Sequence, residues 1–233
     1  MTLKECFDLN GLSGFLTDEK EEKLNVLCSE LLSYNEKVNL TALKDLPDIY
    51  AKHFADSAKL LPFLKGRNTL LDVGCGGGFP SLPAALLSDI DVTALDATKK
   101  KLGFIDEAKE KLNIPNIKTL CGRAEELCTG SLRQSFDAVT ARAVASLPVL
   151  CELCIPYVKV DGVFLAMKTD EGELEAGKKA AKALGAVYVE SVKYKLICEN
   201  EEAERCIIIF KKTKNTDIKY PRRYSQIKAK PLQ

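Results

Sequence analysis

Between Leu70 and Pro80 the chain reads Leu-Leu-Asp-Val-Gly-Cys-Gly-Gly-Gly-Phe-Pro: an apolar run, four glycines within five positions, and a turn poised to open a helix. A strand, a glycine loop and a helix N-terminus in that order let the main chain approach a small polar ligand with no side chain in the way. The spacing narrows the choice. Asp72, Gly74, Gly76 and Gly78 fall on every second position. A dinucleotide fingerprint begun at Gly74 needs glycine at position 79, where the chain has Phe79; begun at Gly76 it needs glycine at 81, where the chain has Ser81. No Lys-Ser/Thr pair follows, which excludes a P-loop.

At 233 residues the chain is long enough for one full domain with an appendage. Its longest apolar runs are far shorter than the roughly 20 residues of a membrane span. Acids stand among the first eight residues, where a signal peptide has its apolar core. A cytoplasmic protein is expected, and its nine cysteines read as reduced thiols rather than a disulfide framework. Cys151 and Cys154 form the one close pair; they lie in an apolar helical pattern and read as buried structural cysteines. With a single histidine, His53, a zinc site is poorly supplied and no metal is expected. Charge is unevenly spread. From Lys211 onward there are eight basic residues and one acid, Asp217, whereas the preceding 210 residues carry a net charge of −6. A basic tail suits a polyanionic partner, though a merely solvated tail has the same composition.

Residues 1–66 carry helical periodicity, with Leu24, Leu27, Cys28, Leu31 and Leu32 on one face and a second helix opening near Pro47. After Gly66, strands alternate with helices: Thr69–Val73, Asp91–Asp96, Ile117–Cys121, Phe136–Ala141 and 162–168 are strands, with helices near 79, over 98–112, 146–157 and 171–184 between them. Gly185 closes the last helix. A sixth strand through Val187–Leu196, an acidic turn over Glu199–Glu204 and a strand Cys206–Phe210 follow; so short a connection makes this pair antiparallel. The fold class is α/β, a doubly wound, mostly parallel sheet with one antiparallel edge strand. Three parts are expected: a helical extension (1–66), the sheet domain (67–212) and a basic tail (213–233).

In such a sheet a ligand sits beyond the carboxyl ends of the strands. Gly74, Gly76 and Gly78 lie there. Asp96, ending the second strand, is placed to accept ribose hydroxyls, and Ala124 and Glu125 follow the third strand where an adenine edge would lie. Singly, Asp96 also reads as a helix cap and Glu125 as a surface acid. In this order the set resembles class I S-adenosylmethionine-dependent methyltransferases, with a Rossmann-like sheet, over about residues 66–212. Asn39–Ala42, His53–Ser57, Asp72–Pro80, Gly122–Glu125, Ala141–Leu147 and Tyr220–Arg223 together resemble the RsmG (GidB) family.

That resemblance implies S-adenosyl-L-methionine as cofactor, 16S rRNA or a 30S ribosomal particle as partner, and methylation of N7 of guanine-527 in the 530 loop by a protein expected to be a monomer. It also implies that Gly74 and Phe79 contact the cofactor, that Ala124 and Glu125 hold its adenine end, and that Arg142 lies beside cofactor and target base. Ser81 stands where the family often has glycine. The residues agree with an N7 acceptor. The amine-orienting Asn/Asp-Pro-Pro-Tyr/Phe loop is replaced after the fourth strand by Thr140-Ala-Arg-Ala143, and no Pro-Cys nucleophile exists. Guanine N7 has an in-plane lone pair and no proton to lose, so positioning matters more than a general base. Arg142 can donate to O6 or phosphate, or brace the strand-four turn. His53 reads as a substrate contact or a packed helix residue. Lys99, Lys100 and Lys168 lie on the same rim as candidate phosphate ligands, and Lys99–Lys101 also reads as a solvated helix start. Arg222 and Arg223, interleaved with Tyr220 and Tyr224, suit RNA contact or packing of the tail.

Overall fold

Successive side chains of a strand point to opposite faces of its sheet, and the apolar residues of this chain sort into two clusters on that rule. Leu70, Ala94, Ala138, Leu165 and Ile209 fall in one; their neighbours Leu71, Leu95, Val139, Phe164 and Phe210 fall in the other. In the computed structural model, which describes residues 1–142, 145–199 and 201–232, both clusters are covered by helices, so the sheet is the middle of three layers.

The strands are β1 (Thr69–Val73), β2 (Asp91–Asp96), β3 (Ile117–Cys121), β4 (Phe136–Arg142), β5 (Val158–Lys168), β6 (Ala186–Cys198) and β7 (Glu201–Lys212), in the spatial order β3-β2-β1-β4-β5-β7-β6. The first five are mutually parallel. The antiparallel edge is a hairpin whose reversed strand, β7, is inserted between β5 and the outermost β6. The expected acidic turn is mostly strand: Cys198 already pairs with Glu201, and Glu202 and Glu204 sit in the ladder opposite Ile197 and Lys195. Alternating acids on a solvated edge pairing keep one polar face without breaking the strand, so charge alone is a poor turn signal there.

One face carries α1 (Leu3–Leu9), α2 (Asp18–Asn35), α3 (Leu46–Ile49), α4 (Asp56–Ala58), α5 (Leu61–Leu64), α6 (Ser81–Leu87) and α7 (Lys99–Leu112). Tyr50–Ala55, between α3 and α4, is a π-helical turn. Leu3, Phe7, Leu24, Leu31 and Phe54 of this N-terminal stretch share one cluster with Leu70 and Ala94 of the sheet. Thr17 caps α2 through its side chain, and Asp18, Glu19 and Glu21 occupy the first turn, where they complement the helix dipole. The opposite face carries α8 (Ala124–Leu127), α9 (Leu147–Cys154), α10 (Leu174–Ala183) and α11 (Tyr224–Ala229). Ala143 and Val144 of the Ala141–Leu147 run lie outside the described residues. Among the described residues no helix is long and apolar enough to cross a membrane.

The basic tail is ordered against the sheet. Lys212 is fully buried, its ammonium donating to the carbonyls of Ile155 (3.1 Å) and Leu184 (3.2 Å) and to the Thr216 hydroxyl. Burial and the neighbouring Arg133 push its pKa down to about 8. Arg133 donates to the carbonyls of Thr216, Asp217 and Tyr220 at 2.7–3.0 Å. Gly185, at φ +84°, accepts at its carbonyl from Thr213 and Lys214, and a Cβ there would lie 2.5 Å from the Lys214 carbonyl oxygen. Backbone cannot yield as a side-chain tip can. Gly185→Ala is therefore expected to cost about 2–4 kcal/mol, combining a left-handed penalty with the clash, read as a lowered urea midpoint at unchanged m-value.

Candidate active site

The chain runs outward from β1 to β2 and β3, then returns to β4 on the other side of β1. That reversal opens a crevice beyond the carboxyl ends of β1 and β4. Register decides what meets there. Val73 pairs with Leu95, so Gly74 and Asp96 are level; Asp72 pairs with Thr140, so Arg142 lies level with Gly74.

The glycine loop is fixed from β2. Gly74 and Cys75 both donate to the Leu95 carbonyl (2.8 and 3.0 Å), and Gly76 donates to Asp96 Oδ2 (3.0 Å). Asp96 Oδ1 accepts from Thr98 (2.7 Å) at the start of α7. Each carboxylate oxygen has two acceptor sites, so Asp96 organises the loop and keeps capacity for a hydroxyl pair. The glycines divide by role. A Cβ on Gly76 would meet nothing within 4 Å, so its φ of +55° faces open space. A Cβ on Gly78 would lie 2.7 Å from Leu82 and 3.1 Å from Ile105. Gly78, expected among the ligand-facing glycines, also lets Leu82 of α6 and Ile105 of α7 close in on the loop.

Gly74, Asp96, Ala124 and Glu125 line one cleft of about 590 Å³, joined by Leu153 of α9 and Tyr224 of α11. The Glu125 carboxylate is engaged, accepting from Arg123 Nε at 2.8 Å. Beneath the loop, Asp72 is buried. Ser81 Oγ donates to its Oδ2 (2.5 Å), while Oδ1 is the one fully buried side-chain oxygen or nitrogen without a partner among the described residues. Burial, opposed by the Ser81 hydroxyl, pushes its carboxyl up to about 6. Ser81 is thus a hydrogen-bond donor to the acid that opens the motif. An unspent acceptor at Asp72, a Cβ-free surface at Gly76 and a partly spent carboxylate at Asp96 form a donor and acceptor set that fits an aminoacyl-nucleoside with a cationic end.

A second cleft, of about 860 Å³, borders Arg142 on the N-terminal side and is lined also by Lys52, His53, Asp56, Lys168 and Tyr194. Arg142 Nη1 donates to the Lys52 carbonyl and to Asp56 Oδ2, each at 2.8 Å, and Nη2 to His53 Nδ1 at 3.2 Å. A guanidinium can only donate, so Nδ1 is the acceptor and Nε2 carries the hydrogen given to Thr41 Oγ1 (2.8 Å). Burial, and then the Arg142 charge, push the His53 pKa down to about 3. The His53 ring stacks on Phe79, centroids 4.3 Å apart and planes within 6°. Phe79, expected against the cofactor, is buried in that stack. Asp56 Oδ1 accepts from the Tyr194 hydroxyl (2.8 Å). Asp56 and Tyr194 are the partners that sequence reasoning misses; Asp56 lies inside the His53–Ser57 motif, while Tyr194, 138 positions away, has no local signal.

The expected phosphate ligands separate into two groups. Lys168 is paired with Glu173 (2.9 Å) and donates to the Ala145 carbonyl (3.3 Å), so its charge is largely spent within the protein. Arg222 turns inward: its Nε and Nη2 donate to the fully buried carboxylate of Glu152 at 2.8 and 2.6 Å. A buried carboxylate claims the nearest guanidinium before solvent or RNA can. Lys99, Lys100 and Arg223 are exposed and form no ion pair among the described residues. Cys151 and Cys154 are buried with their thiol pKa values raised by burial, and among the described residues no His/Cys/Asp/Glu group could hold a metal ion.

The rRNA small subunit methyltransferase G family model matches residues 20–203. The chain belongs to that family. It is 39% identical to the ribosomal RNA small subunit methyltransferase G of Acetivibrio thermocellus over 96% of this chain and 95% of that protein. With the protein of the same name from Lactobacillus helveticus it shares 40% identity over 98% of each. Among solved structures, M. jannaschii TYW2 in complex with AdoMet is similar at a TM-score of 0.57 with 16% identity, covering 75% of this chain and 80% of that one. The [4+2]-cyclase SpnF is similar at 0.54 with 15% identity, covering 69% and 82%. These likenesses establish the Rossmann-like class I fold.

Asp72 supplies a pH test. Its folded-state pKa is raised, so its ionisation costs stability as pH climbs through about 6, and the cost is absent below the unfolded value near 4. Asp72→Asn, which keeps a partner for Ser81, is expected to exceed wild type by roughly 2–4 kcal/mol at pH 8 and to match it at pH 4. Chemical denaturation across that range reads the difference; a gap independent of pH contradicts the assignment.

Proposed function

We propose that the chain transfers a methyl group from S-adenosyl-L-methionine to N7 of guanine-527 in the 530 loop of 16S rRNA, within free rRNA or a 30S particle. The observation that carries the reading is Arg142. It lies level with Gly74, is locked by Asp56, Lys52 and His53, and still has Nε–H and one Nη2–H unspent among the described residues. Two parallel N–H groups on a fixed plane suit guanine O6 or a phosphate oxygen beside the target base. The family membership and the relatives' name supply the rRNA substrate.

The cofactor, when bound, supplies an electrophilic methyl on a sulfonium. Gly74, Gly76, Asp96, Ala124 and Glu125 would bind it, and Arg142 would hold the base in line. N7 attacks with a lone pair that needs no deprotonation, so the chain must orient rather than accept a proton. His53 fits that division. With its Nδ1 filled by Arg142 and its pKa pushed down to about 3, it stays neutral and serves to aim the guanidinium. Lys99, Lys100 and Arg223 would carry phosphate contacts.

Methyl incorporation into 30S particles from cells lacking this protein is the assay, with the modified nucleotide mapped. Gly74→Asp, which fills the loop with a charged side chain, is expected to abolish transfer, and Arg142→Ala to lower kcat/KM by roughly 100-fold because the base is no longer held in line. The rate should be flat from about pH 7.5 to 8.5, above the Asp72 titration and without a histidine-like inflection, because neither His53 nor N7 titrates there. A methyl group at another nucleotide, or an Arg142→Ala rate within threefold of wild type, contradicts the reading. Replacing Lys99, Lys100 and Arg223 by Ala should reduce the slope of log K for RNA against log salt by roughly 0.7 for each phosphate left unneutralised.

A further inference from the structure

The second cleft is accounted for by Arg142 and its partners, but the first has a wall that no motif announces. Tyr224, the first residue of α11, lines it together with Gly74, Asp96, Ala124 and Glu125. The tyrosine comes from the basic tail, whose arginines suggest contact with RNA rather than with a small molecule. Its position is not a loose one. Ile227, one turn on, is fully buried in the cluster beneath α9. Arg222, two residues before it, is clamped by the buried Glu152, and the Arg222 backbone N–H donates to the same carboxylate at 2.9 Å. Arg133 holds the carbonyl of Tyr220. The ring is therefore held at the cleft by anchors on both sides.

Its surroundings are those of a stacking platform. The Arg123 guanidinium lies 5.1 Å from the ring centroid and is itself fixed by Glu125 at 2.8 Å. Arg123, Ala124 and Glu125 are consecutive, so one short segment brings to the cleft a planar cation over the ring, a main-chain edge and a carboxylate. Leu153 of α9 adds an apolar surface to the same lining. A flat aromatic heterocycle with hydrogen-bonding edges is the ligand chemistry such a slot takes.

We propose that Tyr224 is a cofactor-binding residue, its ring forming the outer wall against which the adenine of S-adenosylmethionine stacks, so that the C-terminal segment completes the cofactor pocket. This rests on the reading of the cleft as the cofactor's. It gives the tail two faces with different work: Tyr224 toward the nucleoside, and the exposed Arg223 beside it toward phosphate. An RNA drawn to Arg223 would then press on the element that closes the pocket.

The chain contains no tryptophan, which makes the test direct. Binding of S-adenosylhomocysteine is measured by calorimetry for wild type and for Tyr224→Phe, Tyr224→Ala and Tyr224→Trp, each with its thermal midpoint. The expected pattern is near-wild-type affinity for Tyr224→Phe and Tyr224→Trp, and a loss of roughly tenfold or more for Tyr224→Ala, the scale of one base–aromatic stack. In Tyr224→Trp the sole indole should also change in fluorescence, saturably and at the calorimetric Kd. If Tyr224→Ala binds within twofold of wild type, or the indole is silent at saturating ligand, the inference is overturned while the cofactor site stands. If the wild type itself fails to bind, the cofactor reading of the cleft falls and this inference with it. Should Tyr224→Ala prove unfolded, the Tyr224→Trp signal alone decides.

Discussion

The guanidinium of Arg142 is the junction on which the two halves of the crevice depend. It ends β4, and its partners come from elsewhere: the Lys52 carbonyl and His53 Nδ1 from the π-helical turn, and Asp56 from the turn that follows. Asp56 in turn holds the Tyr194 hydroxyl on β6. Removing the arginine leaves a nearly buried carboxylate without its counter-charge, a loss of about 3–5 kcal/mol in comparable pairs. The π-helical register matters because π turns place side chains and carbonyls in positions an α-helix does not, and they recur at functional sites. Here one such turn presents a carbonyl and a ring nitrogen to a single planar donor.

Around that junction the crevice is divided by chemistry. On the β1–β2–β3 side, the acceptors of Asp72 and Asp96 and the bare backbone of Gly76 suit a compact cationic nucleoside. On the N-terminal side, Arg142, with donors unspent, suits an anionic or guanine partner, while the exposed Lys99 and Lys100 stand at the rim beyond β2. The fold alone does not select this chemistry, since a cyclase shares it at similar TM-score. Selection falls to side chains rather than to the fold.

Much of this is legible in the amino-acid sequence, for identifiable reasons. The boundaries of β1, β2 and β3 follow from apolar runs ended by glycine or by a turn, and α7 begins after Thr98 and ends at Asn113, which adopts φ 50°. Glycine spacing and Asp96 locate the first cleft because local backbone geometry leaves a local signature. What depends on distant partners is hidden. Nothing near Arg222 says that it turns inward; its reason is Glu152, 70 positions away. The trace of that partner is visible in retrospect: Glu152 is the lone charged residue in the apolar helix Leu147–Cys154. A charge so placed demands a counter-charge from somewhere. The packing role of Gly78 is hidden for the same reason, because its neighbours Leu82 and Ile105 are revealed only in three dimensions.

One modest contact sets the order in which the molecule can be finished. The Asn10 side chain donates to the Ile197 carbonyl (2.9 Å) and accepts from the Ile197 amide (3.0 Å), joining the second turn of the chain to β6. A chain emerging from a ribosome at about 5–20 residues per second waits roughly 10–40 s between these two residues. Through that interval Leu3, Cys6 and Phe7, all buried at the end, lack part of their cover. Since β7, made later still, lies between β5 and β6, the β6 face of α1 is among the last surfaces sealed. Nascent-chain binding factors would therefore meet this protein by the apolar face of α1.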